Sequence, residues 1–278
     1  MRIKQFESWL NAKTEWQALE KKTNHSPFQM FSFQEIFSRH FSHPEDLILI
    51  GIYQDELLVA AGGFEKVGQK ILFLGMKLVL GHEEVTDFGD ILIDSQRVEV
   101  KSVWSMILDY LRKQNHYQLQ LDYVREDSLT YQFFKNLESV KLSRQSVSPF
   151  INLPSSWDQY LLSLAGRDRR ELRRKIKRLS EAQAFQSCRS ESLKKDFADF
   201  VRLHQISDET KERFMSPKMQ AFFWDLMNIN NSLWQSELCF LSLKGKRLAA
   251  VIGAVFQNES GKNDVLAIRD FRARPDFA

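Results

Sequence analysis

The densest chemistry in this chain lies between residues 148 and 181. Within its basic run, residues 167–178, Arg167, Arg169, Arg170, Arg173, Arg174, Lys175, Lys177 and Arg178 stand against only Asp168 and Glu171, a net of +6 in a chain whose total is +3, so the remainder carries −3. Positive charge concentrated this way raises the local concentration of an acidic ligand without making the protein polycationic. Nucleic acid, an anionic membrane face and a phosphate-bearing cofactor all suit it. Asp87, Asp90 and Asp94 form an acidic set that could face a pocket or chelate a cation, although carboxylates in a loop are more often solvated. His204, beside Phe200 and Leu203, is either a base or a packed core histidine. His40 and His43 resemble half of a metal site, or a surface corner next to Pro44. Asp87-Phe88-Gly89 spells the kinase magnesium motif by chance, since no glycine-rich loop, strand lysine or catalytic-loop motif accompanies it.

These residues need elements to hold them. Leu172, Ile176 and Leu179 recur at i, i+4 and i+7, which predicts a helix with one face packed on a sheet and the arginines over the remainder. An extended segment, 148–153, leads into it through Pro154 and Trp157. With 43% hydrophobic and 12% aromatic residues, 278 positions can bury substantial cores and suit two domains. Cys188 and Cys239 are the only cysteines, without metal or disulfide spacing, which suits a reduced compartment. No apolar run approaches the ~20 residues a membrane span needs, so a soluble, unexported, cytoplasmic protein is expected.

The first half reads as helices at 6–21 and 31–40, strands at 47–53 and 57–64 joined by a Gln54-Asp55-Glu56 turn, and strands at 70–74 and 91–93. A helix at 99–113 follows, with Val103, Ile107, Tyr110 and Leu111 as its apolar face, then a strand at 117–124, a helix at 128–137 and a strand at 147–153. The second half repeats the order. Helices at 193–205 and 217–228 precede strands at 237–243 and 247–256, a hairpin across Lys244-Gly245-Lys246, and a short strand at 265–268.

In this setting Ser156-Trp157-Asp158-Gln159-Tyr160, the basic helix, Leu203-His204, Phe222-Phe223 and the run Lys244-Gly245-Lys246-Arg247-Leu248-Ala249-Ala250-Val251 resemble the GNAT acyltransferases of the CelD-like, FemAB-related branch. The likeness covers most of residues 145–278 and extends more loosely through Ser26-Pro27-Phe28-Gln29 and Val85-Thr86-Asp87-Phe88-Gly89-Asp90. It implies a mixed α/β (α+β) fold of two tandem GNAT-like domains, 1–153 and 154–278. Its chemistry would be N-acyl transfer from a thioester, acetyl-coenzyme A or another acyl-coenzyme A, to an amine on a small molecule or cell-envelope component, without a metal.

The thioester carbonyl then needs backbone N–H donors and the amine must lose a proton. In GNAT domains a strand that splays from its neighbour supplies those donors, and the pantetheine arm lies in the gap. The resemblance places the cofactor at Val251, Ile252, Gly253 and Ala254, the catalytic groups at His204 and Asp90, and substrate contacts at Asp87, Arg170 and Arg174. Residues 272–278 resemble the family segment before a Ser-Pro-Gly turn and the helix that receives the cofactor pyrophosphate. That turn and helix are not in the sequence, so the second domain is expected to be incomplete, with weak or no binding of coenzyme A.

Two alternatives stand beside this reading. One is a FemAB-type transferase using aminoacyl-tRNA. The other is a non-catalytic module that binds nucleic acid or another polyanion through 167–178, weakly, salt-sensitively and without sequence preference, because no aromatic lies between Arg167 and Ala184 to stack on bases.

Overall fold

The computed structural model describes residues 1–81, 83–113, 118–145, 147, 151–181, 185–257 and 263–272, which form a mixed α/β fold. In chain order the first half runs β1 (Arg2–Phe6), α1 (Trp9–Glu20), α2 (Phe31–Phe41), β2 (Leu47–Gln54), β3 (Leu57–Val67), β4 (Lys70–Phe73), β5 (Leu92–Ile93), α3 (Val100–Arg112), β6 (Gln118–Leu119) and α4 (Leu129–Phe134). The second half runs α5 (Trp157–Ser163), α6 (Gly166–Glu181), β7 (Phe185–Arg189), α7 (Leu193–Ser207), α8 (Glu209–Phe214), α9 (Pro217–Met227), β8 (Trp234–Leu243), β9 (Lys246–Gln257) and β10 (Asn263–Arg272). The strands make two sheets, one ordered β1-β2-β3-β4-β6 with β5 against β3, the other β10-β9-β8-β7.

By contact density the chain divides into two compact units. The first comprises Met1–Gln145, Arg213–Ser236 and Gly253–Ala267; the second comprises Ser146–Glu212, Glu237–Ile252 and Ile268–Ala278.

In the first unit, β2 and β3 form the predicted hairpin, with Gln54 opposite Leu57. Asp55 and Glu56 both take positive φ, 48° and 62°, which gives the tight turn the twist that flanking strands need. The apolar face of α3 supplies Val103, Trp104, Ile107 and Leu111 to a core shared with Ile48, Ile50, Ile52, Phe64 and Phe73 of the strands. The helix α9 also packs here, its Phe222 ring meeting Phe33, Phe37 and Phe41 at centroid distances of 6.3, 6.3 and 5.0 Å.

Several expectations are corrected in these parts. Residues 2–6, of which Phe6 was expected to begin a helix, form β1 instead, antiparallel to β2, and α1 begins at Trp9 behind a Ser8 cap that accepts the Asn11 N–H at 3.4 Å. An edge strand with its outward residues in water carries too weak an alternation to stand out in sequence. Of the strand expected at 117–124, Gln118–Leu119 forms β6, residues 120–124 are not strand, and residue 117 lies outside the described residues.

In the second unit, β7 runs antiparallel to β8, with Phe185 opposite Leu243. The turn after β8 takes positive φ at Lys244 and Gly245, 49° and 76°. Arg247 of β9 clamps α7 by donating to Asp199 at 2.8 Å and Asp196 at 2.6 Å while its guanidinium lies 3.9 Å from the Phe240 ring centroid. The extended strand expected at 147–153 is not present among the described residues there, and Ser148, Pro149 and Phe150 lie outside them. The short helix α5 stands before the basic helix instead, capped by Ser156, whose hydroxyl accepts the Gln159 N–H at 3.3 Å.

The expected burial of Leu172, Ile176 and Leu179 against a sheet is overturned. No residue of α6 is buried, and Ile176 and Leu179 are each 41% exposed. Three aliphatic side chains within a run of charge are too narrow a stripe to bind a helix firmly to its own domain.

Candidate functional site

The feature of the first unit best suited to hold a ligand is the parallel pair β4 and β6, joined through β5 and α3. Among the described residues the pair keeps two registers, Lys70 with Gln118 and Ile71 with Leu119. The last rung is the Gln120 N–H on the Ile71 carbonyl at 3.0 Å, after which the strands part. In open α/β sheets the crevice outside the carboxyl ends of parallel strands is where ligands bind.

Here residues 86–91 enter that gap. The Gly89 N–H donates to the Tyr123 carbonyl at 3.3 Å. A Cβ at Gly89 would stand 2.6 Å from the Phe73 side chain and 2.8 Å from the Asp122 carbonyl oxygen. Only glycine fits between β4 and the chain leaving β6.

Asp90 follows, fixed from two directions. Its Oδ1 accepts the Ile91 N–H at 2.8 Å and a short hydrogen bond from the Thr130 hydroxyl. Thr130, fully buried, in turn accepts the Trp104 indole N–H at 3.2 Å, so the relay runs from the helix α3 through α4 to the carboxylate. Ser128 caps α4 through the Tyr131 N–H at 3.1 Å. Burial pushes the Asp90 carboxyl up to about 6, while hydrogen bonds from Thr130, the Ile91 backbone and Ser128, and then the Arg125 charge, pull the other way. A carboxyl in that range is ionised at neutral pH and is a stronger base than an ordinary aspartate, which suits general acid–base work.

The remaining sequence-derived candidates are distributed. Asp87 is exposed on the same loop as Asp90. Between them, the Phe88 carbonyl accepts the Gln29 amide at 2.9 Å, and the Arg125 guanidinium lies 5.4 Å from the Phe88 ring centroid while forking onto Asp127 at 2.9 and 2.7 Å. Asp94 is buried, 3.3 Å from Arg97, so the three carboxylates serve separate local contacts rather than one chelate. His40 is likewise not half of a metal pair with His43: its Nε2 lies 2.6 Å from Asp225 Oδ2.

His204 lies on α7, fully buried, with its ring centroid 6.1 Å from that of Phe200. Val251, Ile252, Gly253 and Ala254 lie on β9, which sits between β8 and β10 in the strand order, with Ile252 and Ala254 buried. Arg170 is exposed on α6, and Arg174 one turn on is held by Glu171 at 2.7 Å. Sequence reasoning missed Thr130, Trp104 and Ser128. Only Ser128, a polar residue immediately before a helix, carried a local signal, that of a cap.

No family model matches the sequence, and no characterised protein sequence matches it. Solved structures do. A conserved protein of unknown function from Bacteroides thetaiotaomicron superposes with a TM-score of 0.56 at 11% identity, covering 96% of this chain and 81% of that one. FemX superposes with a TM-score of 0.51 at 17% identity over 87% of this chain.

The fold is FemX-like. At these identities the likeness is one of architecture, and this chain spans 58% of the FemX chain. The β4–α3–β6 unit, with its diverging parallel strands, is the part of that architecture which the Asp90 loop occupies.

Proposed function

We propose that this chain is an N-acyltransferase of FemAB type, built from two tandem GNAT-like domains and moving an acyl group from an activated carbonyl donor to an amine. The observation that carries this reading is the FemX-like fold over 87% of the chain. In this reading Asp90 takes the proton of the attacking amine, which its position at the carboxyl ends of β4 and β6 and its upward-shifted carboxyl support. Asp87 on the same loop attracts the acceptor ammonium before it is deprotonated.

In this reading the donor-binding strand is β9, at Val251, Ile252, Gly253 and Ala254, which lies between β8 and β10 in the strand order. His204, buried in α7, then acts through packing on that domain. The donor in this reading is an acyl-coenzyme A, held with low affinity. A second reading, aminoacyl-tRNA as donor, is favoured by the FemX-like fold together with the exposed basic helix α6, whose Arg170 and Arg174 would meet the polyanion.

The two donors are separated by incubating the full chain with either acetyl-coenzyme A or a mixture of aminoacyl-tRNAs and a mixture of amines, and following thiol release or deacylation. Amine-dependent loss of one donor is expected. Loss of neither, above a heat-denatured control, contradicts the transferase reading.

A further inference from the structure

The helix α6 extends over sixteen residues without one buried side chain. An isolated helix of that length is marginal in water, and most helical stability in proteins comes from packing an apolar face. Here the internal support is limited to exposed ion pairs, Glu171 with Arg174 at 2.7 Å, Glu171 with Lys175 at 3.6 Å and Lys177 with Glu181 at 3.7 Å. Among the described residues, Arg167, Arg170, Arg173 and Arg178 have no acidic partner in these pairs.

The arrangement of side chains says what would cover this helix. At about 100° per residue, Leu172, Ile176 and Leu179 fall within a sector of about 60°, bordered by Arg169, Ser180 and Arg173 on one side and by Asp168 and Lys175 on the other. All three apolar positions are at least partly exposed, Ile176 and Leu179 to 41%. Immediately before it, α5 exposes Trp157 to 55% and Leu162 to 65%, and the Arg169 guanidinium returns to the Leu162 carbonyl at 3.3 Å, which ties the two helices.

An aliphatic stripe whose flanks are mainly long cationic side chains, Arg169, Arg173 and Lys175 with the single acid Asp168, and with an exposed tryptophan beside it, is the pattern of a helix lying in a membrane interface. Nucleic acid would use the cations and leave the aliphatic stripe in water, and α6 offers no aromatic for base stacking. We propose that α5 and α6 dock the protein on an anionic lipid bilayer, with Leu172, Ile176, Leu179, Leu162 and Trp157 at the acyl boundary and the arginines among the headgroups. The inference is independent of the acyl-transfer reading.

The test is co-sedimentation of the full chain with vesicles of about one-third phosphatidylglycerol in phosphatidylcholine, beside pure phosphatidylcholine vesicles and bulk tRNA. Expected is binding to the anionic vesicles at least tenfold stronger than to the neutral ones. The triple variant Leu172→Ser, Ile176→Ser, Leu179→Ser should lose at least tenfold while keeping its circular dichroism. If that variant misfolds, Leu162→Ser and Ile176→Ser singly take its place, each expected to lose severalfold. Vesicle binding indifferent to all these substitutions, or tRNA binding tighter than vesicle binding at physiological salt, overturns the proposal, as does no vesicle binding at all.

Discussion

The carboxylate of Glu20, at the end of α1, accepts the backbone N–H of Phe31, the first residue of α2, at 2.9 Å. The cap position of α2 is Met30, which has no side chain able to do this, so Glu20 satisfies an otherwise orphaned donor from another helix. Its other oxygen accepts the Asn231 amide at 2.9 Å, joining the α9–β8 connection to the same point. Burial raises the Glu20 carboxyl, against hydrogen bonds from Phe31 and Asn231 that lower it. A raised folded value means that this group's contribution to stability is full at acid pH and shrinks as pH rises through that value. Glu20→Gln keeps an acceptor for the Phe31 N–H but loses the Asn231 hydrogen bond, since the Asn231 Oδ1 is held by the Leu233 N–H at 2.9 Å, and it should cost about 1 kcal/mol near neutrality. Glu20→Ala should cost about 2 kcal/mol by urea denaturation, because it strands the Phe31 donor.

Asp90 gives a second pH-dependent expectation. Its folded value of about 6 lies above the ordinary 3.8, so its stabilising contribution is complete below the unfolded range and is lost as pH rises through about 6. Asp90→Asn keeps an acceptor for Thr130 and Ile91 and removes the buried charge. The variant should be more stable than the parent near neutrality by about 1 kcal/mol, with the difference vanishing in acid. If Asp90 is the base, the same variant loses activity while gaining stability, a pairing that a purely structural aspartate would not produce.

Gly89→Ala should be disruptive out of proportion to its size. The added Cβ meets the Phe73 side chain at 2.6 Å and the Asp122 carbonyl at 2.8 Å, and the second is backbone that cannot swing away. A loss of about 2–3 kcal/mol in denaturant unfolding is expected, with the loop at 86–91 displaced. A loss under about 0.5 kcal/mol would show that the loop is not wedged as described.

Much of the architecture was legible in sequence because its signals are local. The Asp55 and Gly245 turns, the apolar face of α3 at Val103, Ile107 and Leu111, and the phenylalanines of α9 each announce an element within a few residues. What stayed hidden depends on distance. Nothing near Thr130 indicates that its hydroxyl meets Asp90, forty residues earlier, and nothing near Gly89 indicates that β4 and β6 part around it. The basic helix shows the converse failure: its period was read correctly as helical, but period alone does not say whether a stripe is covered, and Ile176 and Leu179 are not.

The central claim is tested most directly by following a heavy-isotope acyl group from donor to amine. The full chain, supplied with labelled acetyl-coenzyme A and labelled mixed aminoacyl-tRNAs in separate reactions with a pool of polyamines, amino sugars and lysine-containing peptides, should yield an amide carrying the label from one donor, seen by mass spectrometry. Asp90→Asn, which removes the proposed base and is expected to keep the fold, should abolish that product. Absence of labelled amide with both donors, or an undiminished yield from the Asp90→Asn chain, would contradict the account.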